Sequence, residues 1–239
     1  MQKKNYFCCI NRCIILHRYN QYKQHMLNYL SKFSFSSRLP RMPTQMLING
    51  QFVNSISGKT FQTINPATEE VLAEVQEADI PEVELAARAA REAFENGPWH
   101  RMGPSERSRL MHRLADLMER NSEELALLEA LDNGKPLKIA RQVDVNLSIS
   151  TMRYFAGWPD KIKGDTIPMD GPFFAYTRRE PVGVCGQIIP WNFPLLMAIW
   201  KLGPVLAMGC TSVLKPAEQT PLSALRLGEL ITEAGFPLV

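Results

Sequence analysis

Two polar clusters near the carboxyl end of the chain contain the residues best suited to chemistry. Asn192 stands in the run P-W-N-F-P at 190–194, and Lys215 and Glu218 stand three residues apart further along. An asparagine carboxamide can donate a hydrogen bond to a carbonyl oxygen, and to the oxyanion that forms when a nucleophile adds to that carbonyl. An ammonium and a carboxylate can hold the hydroxyl groups of a ribose. The two clusters therefore predict a site for a nucleotide and a carbonyl compound.

Both clusters follow short apolar segments that are typical of buried strands. The pattern predicts a strand at 182–189, a helix near 195–208, a strand at 212–214 and a helix near 221–234 that Thr220 caps. Strands that alternate with helices pair in parallel. Ligands bind at the carboxyl ends of such strands, so both clusters are expected on one rim of the sheet.

Upstream of these strands the sequence is mostly helical. The predicted elements are strands at 47–52 and 58–64, a helix from 80 capped by Asp79, a helix from 104, a helix from Asn121 to about 133, and a long helix at 137–155. Residues 164–181 differ, because aromatic and β-branched residues flank Asp170-Gly171. That pattern predicts a β-hairpin.

The charge of the chain is unevenly distributed. The net charge is +3, yet no Asp or Glu precedes Glu69, and residues 1–45 hold eight of the 27 Lys and Arg residues. The remaining 19 basic residues face 24 acidic ones, which gives the rest of the chain a net charge near −5. A nucleic-acid-binding surface is therefore not expected. No apolar run reaches the ~20 residues of a membrane span.

The basic, acid-free segment 1–45 has the composition of a mitochondrial transit peptide. The alternative is a disordered or mistranslated extension upstream of Met42 or Met46, with the protein in the cytoplasm. Three of the five cysteines lie in this segment. Cys185 and Cys210 stand in apolar surroundings, where a buried structural thiol is expected in a reducing compartment.

These motifs resemble those of the aldehyde dehydrogenases, from about Leu47 to the end of the chain. The resemblance rests on P-W-N-F-P and K-P-A-E, together with T-I-N-P at 63–66, L-D-N-G-K-P at 131–136 and Y-F-A-G-W at 154–158, in the order of that family. It implies an α/β fold: a partial doubly wound parallel sheet of a Rossmann-like NAD domain, with a helical amino-terminal layer and a protruding β-hairpin. The family binds NAD without a G-x-G-x-x-G motif, which this chain lacks.

The resemblance also implies roles for individual residues. Asn192 would be the catalytic oxyanion donor, and Lys215 and Glu218 would hold the ribose of NAD, with Glu218 repelling the 2′-phosphate of NADP. An apolar wall and backbone contacts to the cofactor would come from Ile188, Ile189, Pro190 and Trp191. The alternatives are a turn role for Asn192, a surface ion pair for Lys215 and Glu218, and a core position for Trp191.

No metal is expected in this site. Thr63, Asp132 and Gln219 resemble positions that hold a monovalent cation in some family members, and hydrogen-bonded loop ends are the alternative. The expected domains are a leader (1–45), a mostly helical part of the NAD domain (46–163), an oligomerisation hairpin (164–181) and a Rossmann-like segment (182–239). The hairpin implies a homo-oligomer such as a homotetramer, unless it packs on its own domain.

The expected activity is NAD-dependent oxidation of an aldehyde to a carboxylic acid. In the family this needs a nucleophilic cysteine and a general-base glutamate downstream of these motifs, in a region that this sequence does not contain. We therefore expect a truncated chain with no turnover by itself. The alternatives are a noncatalytic protein that joins full-length relatives through the hairpin, or an incomplete sequence.

Overall fold

The computed structural model describes residues 40–237, and residues 1–39 of the predicted leader lie outside that range. The strands are β1 (Met46–Ile48), β2 (Gln51–Val53), β3 (Thr60–Ile64), β4 (Val71–Gln76), β5 (Thr166–Ile167), β6 (Ala175–Tyr176), β7 (Val184–Ile188) and β8 (Thr211–Lys215). The helices are α1 (Ile80–Glu95), α2 (Pro98–Arg101), α3 (Pro104–Arg120), α4 (Ser122–Asn133), α5 (Leu137–Ile139), a π-helical segment (Ala140–Val145), α6 (Asn146–Ala156), α7 (Pro194–Ala207) and α8 (Leu222–Ala234).

Strands β7 and β8 pair in parallel, as the alternation of strands and helices predicts. The apolar helix α7 connects them, and α8 follows β8. The predicted bounds of these four elements agree with the structure to within one or two residues. The α/β class is therefore confirmed, with a two-stranded parallel sheet in the described part of the chain.

The first predicted strand, at 47–52, is wrong. Asn49 and Gly50 form a turn with positive φ angles of 50° and 69°, and the chain folds back so that β1 and β2 pair antiparallel. Asn-Gly is the preferred dipeptide for a two-residue hairpin turn, and it divides this segment into two short strands. The sequence prediction also missed β4, which pairs antiparallel with β3.

The positions of the helices were predicted more accurately than the residues that cap them. A reciprocal capping box between Asp79 and Glu82 starts α1, as expected from Asp79. Asn121 precedes α4 but does not cap it, because its amide donates to the carbonyl of Leu117 and its Oδ1 accepts from Arg226. Gly134, in the left-handed conformation at φ 80°, ends α4.

The long helix predicted at 137–155 is continuous from α5 through the π-helical segment to α6. The π-helical turn widens the helix at Asp144, whose side chain is fully buried. Apolar side chains of α3, α4, α6, α7 and α8 form the main core, and among them Met118, Leu125, Met152, Leu195 and Leu227 are almost completely inaccessible. This core supports the amino end of α7, which directly follows the Asn192 loop.

The predicted hairpin is present, with Thr166 opposite Tyr176 and Ile167 opposite Ala175. A Cβ atom on Gly164 would lie 1.8 Å from the carbonyl oxygen of Thr177, so only glycine allows the two arms to approach this closely. Phe173 and Phe174 remain 71% and 78% exposed. The aromatic side chains at the tip are therefore not packed on the rest of the described chain. Among the described helices, none combines the length and apolar character needed to cross a membrane.

Candidate functional site

The two predicted loops start side by side at one rim of the parallel sheet. Ile188, the last residue of β7, is the register partner of Lys215, the last residue of β8. The amide of Ile189 then donates to the carbonyl of Lys215 at 3.0 Å, which carries the pairing one residue beyond the strand. The loop with Asn192 and the loop with Glu218 therefore leave neighbouring strands at the same end.

The carbonyl of Trp191 joins these loops to the end of α4. It accepts hydrogen bonds from Asn133 Nδ2 at 2.7 Å and from Thr220 Oγ1 at 3.4 Å. Thr220 was predicted to cap α8, and that prediction is wrong because its hydroxyl points to the neighbouring loop. The amide of Leu222 in α8 instead donates to Asp132 Oδ2 at 2.8 Å.

Lys215 and Glu218 form an exposed ion pair. Lys215 Nζ lies 3.0 Å from Glu218 Oε2 and also donates to the carbonyl of Pro216 at 3.0 Å. Both side chains are 62% exposed. The pKa of Glu218 lies below its usual value, first because its own backbone amide donates to the carboxylate and then because of Lys215. Such a pair contributes little to stability, so a ligand with hydroxyl groups can replace its contacts at small cost.

A groove of about 1560 Å³ runs beside this rim. Its lining includes Ile188, Trp191, Lys215 and Glu218, four of the residues predicted to bind the cofactor. Ile188 is 74% exposed and Trp191 is 59% exposed, so both can present an apolar surface to a ligand. Ile189 differs, because its side chain packs in the core at 3% exposure and only its peptide group lies near the rim. Pro190 is exposed at the start of the loop.

The main chain of the Asn192 loop is held on its inner side, while the Asn192 side chain is exposed. Lys135 Nζ donates to the carbonyl of Asn192 at 2.9 Å and lies 4.3 Å from the centroid of the Phe193 ring. Pro194 then begins α7. Asn192 itself is not among the residues that line the groove, but it directly follows Trp191, which does, and its exposed carboxamide is free to donate to a ligand.

Behind this loop lies a buried group of charges that sequence reasoning missed. Lys135 Nζ forms a very short contact with Asp144 Oδ2 and lies 3.7 Å from Glu129 Oε1. Both carboxylate side chains are fully buried. Burial, followed by the hydrogen bond and the charge of Asp144, raises the pKa of Glu129 to about 8. The available signal was an acidic residue in each of two predicted helices, Glu129 and Asp144, with Lys135 in the short segment between those helices.

Asp132 links β3, α4 and α8. Its carboxylate accepts from Thr63 Oγ1 at 2.6 Å and from the amide of Leu222, and burial raises its pKa to about 6. Thr63 and Asp132 thus make the hydrogen bonds expected from the sequence as the alternative to a monovalent cation site. Within residues 40–237 there is no group of three or more His, Cys, Asp and Glu side chains that could hold a metal ion.

The two cysteines of the described chain do not have the surroundings of an activated nucleophile. Cys210 is 3% exposed, and its carbonyl accepts from Trp99 Nε1 at 3.0 Å. Cys185 is half-buried, and burial followed by the nearby Cys210 thiol raises its pKa. A raised thiol pKa leaves little thiolate at neutral pH.

Comparison with known proteins gives consistent matches. The profile of the aldehyde dehydrogenase family matches residues 52–238. Aldehyde dehydrogenase 1A1 of Bos taurus is 56% identical over 213 residues, which are 84% of this chain and 42% of that protein. The mitochondrial aldehyde dehydrogenase of Homo sapiens is 58% identical over 194 residues, 81% of this chain and 38% of that protein. The chain thus spans about two fifths of the length of these relatives.

Solved structures match equally well. The NAD⁺ complex of an aldehyde dehydrogenase from Bacillus cereus superposes with a TM-score of 0.81 at 57% identity, over 83% of this chain and 40% of that one. An indole-3-acetaldehyde dehydrogenase in its apo form gives a TM-score of 0.82 at 37% identity, over 92% of this chain and 48% of that one.

Proposed function

Since the chain belongs to the aldehyde dehydrogenase family, we propose that its site serves the oxidation of an aldehyde to a carboxylic acid with NAD as the hydride acceptor. One observation carries the proposal. The register that pairs Ile188 with Lys215 starts the Asn192 loop and the Glu218 loop at one rim, beside a groove large enough for a nucleotide. This register supports a carbonyl-oxygen donor and a ribose-binding pair on neighbouring loops.

Each residue has one task in this proposal. The Asn192 carboxamide donates to the aldehyde oxygen and binds it more strongly once it becomes an oxyanion, which lowers the barrier. Lys215 and Glu218 exchange their mutual bond for bonds to the ribose hydroxyls. Ile188 and Trp191 provide apolar surface beside the cofactor. NAD, when bound, supplies the acceptor for the hydride.

The nucleophile and the general base come from outside residues 40–237 in this proposal. The family chemistry needs a thiolate, and the raised pKa of Cys185 and the burial of Cys210 suit neither thiol to that role. The described chain then contributes cofactor binding and one oxyanion donor. Binding of NAD to the purified chain, measured by isothermal titration calorimetry, tests that contribution directly. Absence of saturable binding would overturn it.

Glu218→Gln is expected to reduce the preference for NAD over NADP. The carboxylate repels the 2′-phosphate of NADP, and the neutral amide does not. We expect the ratio of the two dissociation constants to shrink roughly five- to tenfold, mostly through tighter NADP binding. Calorimetric titration with each cofactor measures the ratio. Glu95→Gln is the matched control, because Glu95 is also exposed and pairs with an arginine, Arg91, on its own helix. An unchanged ratio in Glu218→Gln would remove Glu218 from the ribose site.

A second candidate function is association with other aldehyde dehydrogenase chains through the hairpin. The observation that favours it is the exposure of Phe173, Phe174 and Tyr176, because apolar side chains grouped at one tip are typical of an interface. In this proposal the hairpin pairs with a second copy to give a homo-oligomer, or with a longer relative in a noncatalytic role.

Phe173→Ser combined with Phe174→Ser is expected to shift the protein toward the monomer. The loss of two large apolar side chains removes most of the apolar surface at the tip, and we expect the dimer dissociation constant to rise at least roughly a hundredfold. Analytical ultracentrifugation across a concentration series measures it. Tyr154→Ser, at another exposed aromatic residue, should leave the dimer dissociation constant unchanged. An unaltered assembly in the double variant would exclude the hairpin as the interface.

The location of the protein is proposed to be mitochondrial, with the cytoplasm as the alternative. The basic, acid-free composition of residues 1–45 supports import. Fusion of residues 1–45 to a fluorescent protein tests this, and a diffuse cytoplasmic signal would favour the alternative.

A further inference from the structure

We infer that Lys135 is a positioning residue for the Asn192 loop: its ammonium, anchored on two buried carboxylates, fixes the carbonyl of Asn192 and so the place of the carboxamide. The catalytic consequence rests on the proposed function. The contact itself is a property of the described chain. Lys135 lies 57 residues before Asn192 in the sequence, and only the fold brings them together.

The ammonium of Lys135 is held from several sides. It donates to the carbonyl of Asn192 at 2.9 Å, contacts the Asp144 carboxylate closely, and lies 3.7 Å from Glu129. Its side chain is only 12% exposed, which is unusual for lysine. The Phe193 ring, with its centroid 4.3 Å from Nζ, covers the ammonium in a cation–π contact. A lysine bound in this way has little rotational freedom, so it can hold a loop in place.

The Asn192 loop is hydrogen-bonded at several successive residues to the end of α4 and the segment that follows it. Asn133 Nδ2 donates to the carbonyl of Trp191, and Lys135 Nζ donates to that of Asn192. The amide of Leu195, in the first turn of α7, lies 3.4 Å from Glu129 Oε2. The end of α4 and the short segment after it thus bind the loop before and after the Asn192 side chain. The backbone at Asn192 cannot shift without breaking these bonds, so they fix the point from which the exposed carboxamide extends.

The charges of Lys135, Glu129 and Asp144 balance when one of the two carboxyl groups carries a proton. A lysine between two buried carboxylates would leave one negative charge uncompensated, and such a charge is costly in the interior. The raised pKa of Glu129 means that Glu129 carries that proton at neutral pH. The remaining Lys135–Asp144 pair is neutral as a whole. The Lys135 ammonium makes a charge-assisted bond to the carbonyl of Asn192.

The test must separate positioning from simple stabilisation. Lys135→Met alone would leave Asp144 buried without a partner, and the protein could unfold for that reason. Lys135→Met combined with Asp144→Asn removes both charges together and leaves Glu129 protonated and neutral. This double variant lacks the bond to Asn192 but has no unpaired buried charge. Lys138→Met, at an exposed lysine three residues further along, is the control.

The readout is fluorine NMR of the full chain labelled with 5-fluorotryptophan. The Trp191 resonance reports the loop and is assigned with Trp191→Phe. The Trp99 resonance, from a side chain that is 1% exposed in the core, reports whether the protein is folded. In the double variant we expect the Trp99 resonance to stay in place while the Trp191 resonance shifts and broadens. Lys138→Met should change neither resonance.

A second readout is NAD affinity in the same samples. If the loop leaves its binding position, the dissociation constant for NAD should rise roughly tenfold in the double variant. Unchanged Trp191 resonance and unchanged NAD affinity in the folded double variant would overturn the inference. If the wild-type chain does not bind NAD while the Trp191 resonance still moves, the proposed function fails and the positioning role of Lys135 stands.

Discussion

Replacement of Asn192 by alanine is expected to lower the turnover number roughly a hundred- to a thousandfold in an active enzyme built on this chain. A preorganised donor to a developing oxyanion contributes about 3–4 kcal/mol to the barrier. The donor acts on the aldehyde oxygen and not on the nucleotide, so NAD affinity should change by less than about threefold. Loss in kcat with little loss in binding is the signature of a group that acts in the transition state.

The measurement uses residues 46–237 joined to the carboxyl-terminal part of the human mitochondrial relative, so that the thiol and the base are present. Steady-state kinetics then give kcat, and calorimetry gives the dissociation constant of NAD. Asn96→Ala is the control, because that side chain is exposed and bonds only to Glu92 of its own helix in the described chain. Equal losses in turnover and NAD affinity would show that Asn192 shapes the loop and does not act on the substrate.

The free energy of unfolding is expected to fall by roughly 2 kcal/mol between about pH 6.5 and pH 8.5, and Glu129→Gln should abolish most of that fall. In the native protein the pKa of Glu129 is raised from 4.5 to about 8, first by burial. Between these values the native state keeps a proton that the unfolded chain has lost. Because the native state binds more protons than the unfolded chain, its stability decreases as the pH rises through the pKa of Glu129 in the folded protein. The stability from this group is greatest below the pKa of Glu129 in the unfolded chain.

The chosen pH range separates Glu129 from Asp132. The pKa of Asp132 is raised to about 6, so most of its contribution is lost before the range begins. Urea unfolding at several pH values measures the slope. Asp144 helps to raise the pKa of Glu129, so Asp144→Asn should also flatten the slope. Glu95→Gln, at an exposed position, should leave it intact. A slope that survives in both buried variants would show that another group titrates.

Local sequence signals predicted most elements because the physics behind them is local. Asp79 starts α1, Gly134 ends α4, and Asp170-Gly171 marks the hairpin, since each depends on bonds or backbone angles within a few residues. The same kind of signal was present and missed at Asn49-Gly50. The wrong prediction for Thr220 has a long-range cause, because its hydroxyl donates to the carbonyl of Trp191, 29 residues away in the chain.

The sequence by itself determined the family, the α/β class and the two loops that carry Asn192 and Glu218, because short motifs and apolar periodicity are readable along one chain. Only the tertiary structure decided that Ile189 is core, that Thr220 joins two loops, and that Lys135 contacts the Asn192 loop. Burial, pKa values and long-range hydrogen bonds depend on which distant segments pack together. No residue type or spacing specifies that packing locally.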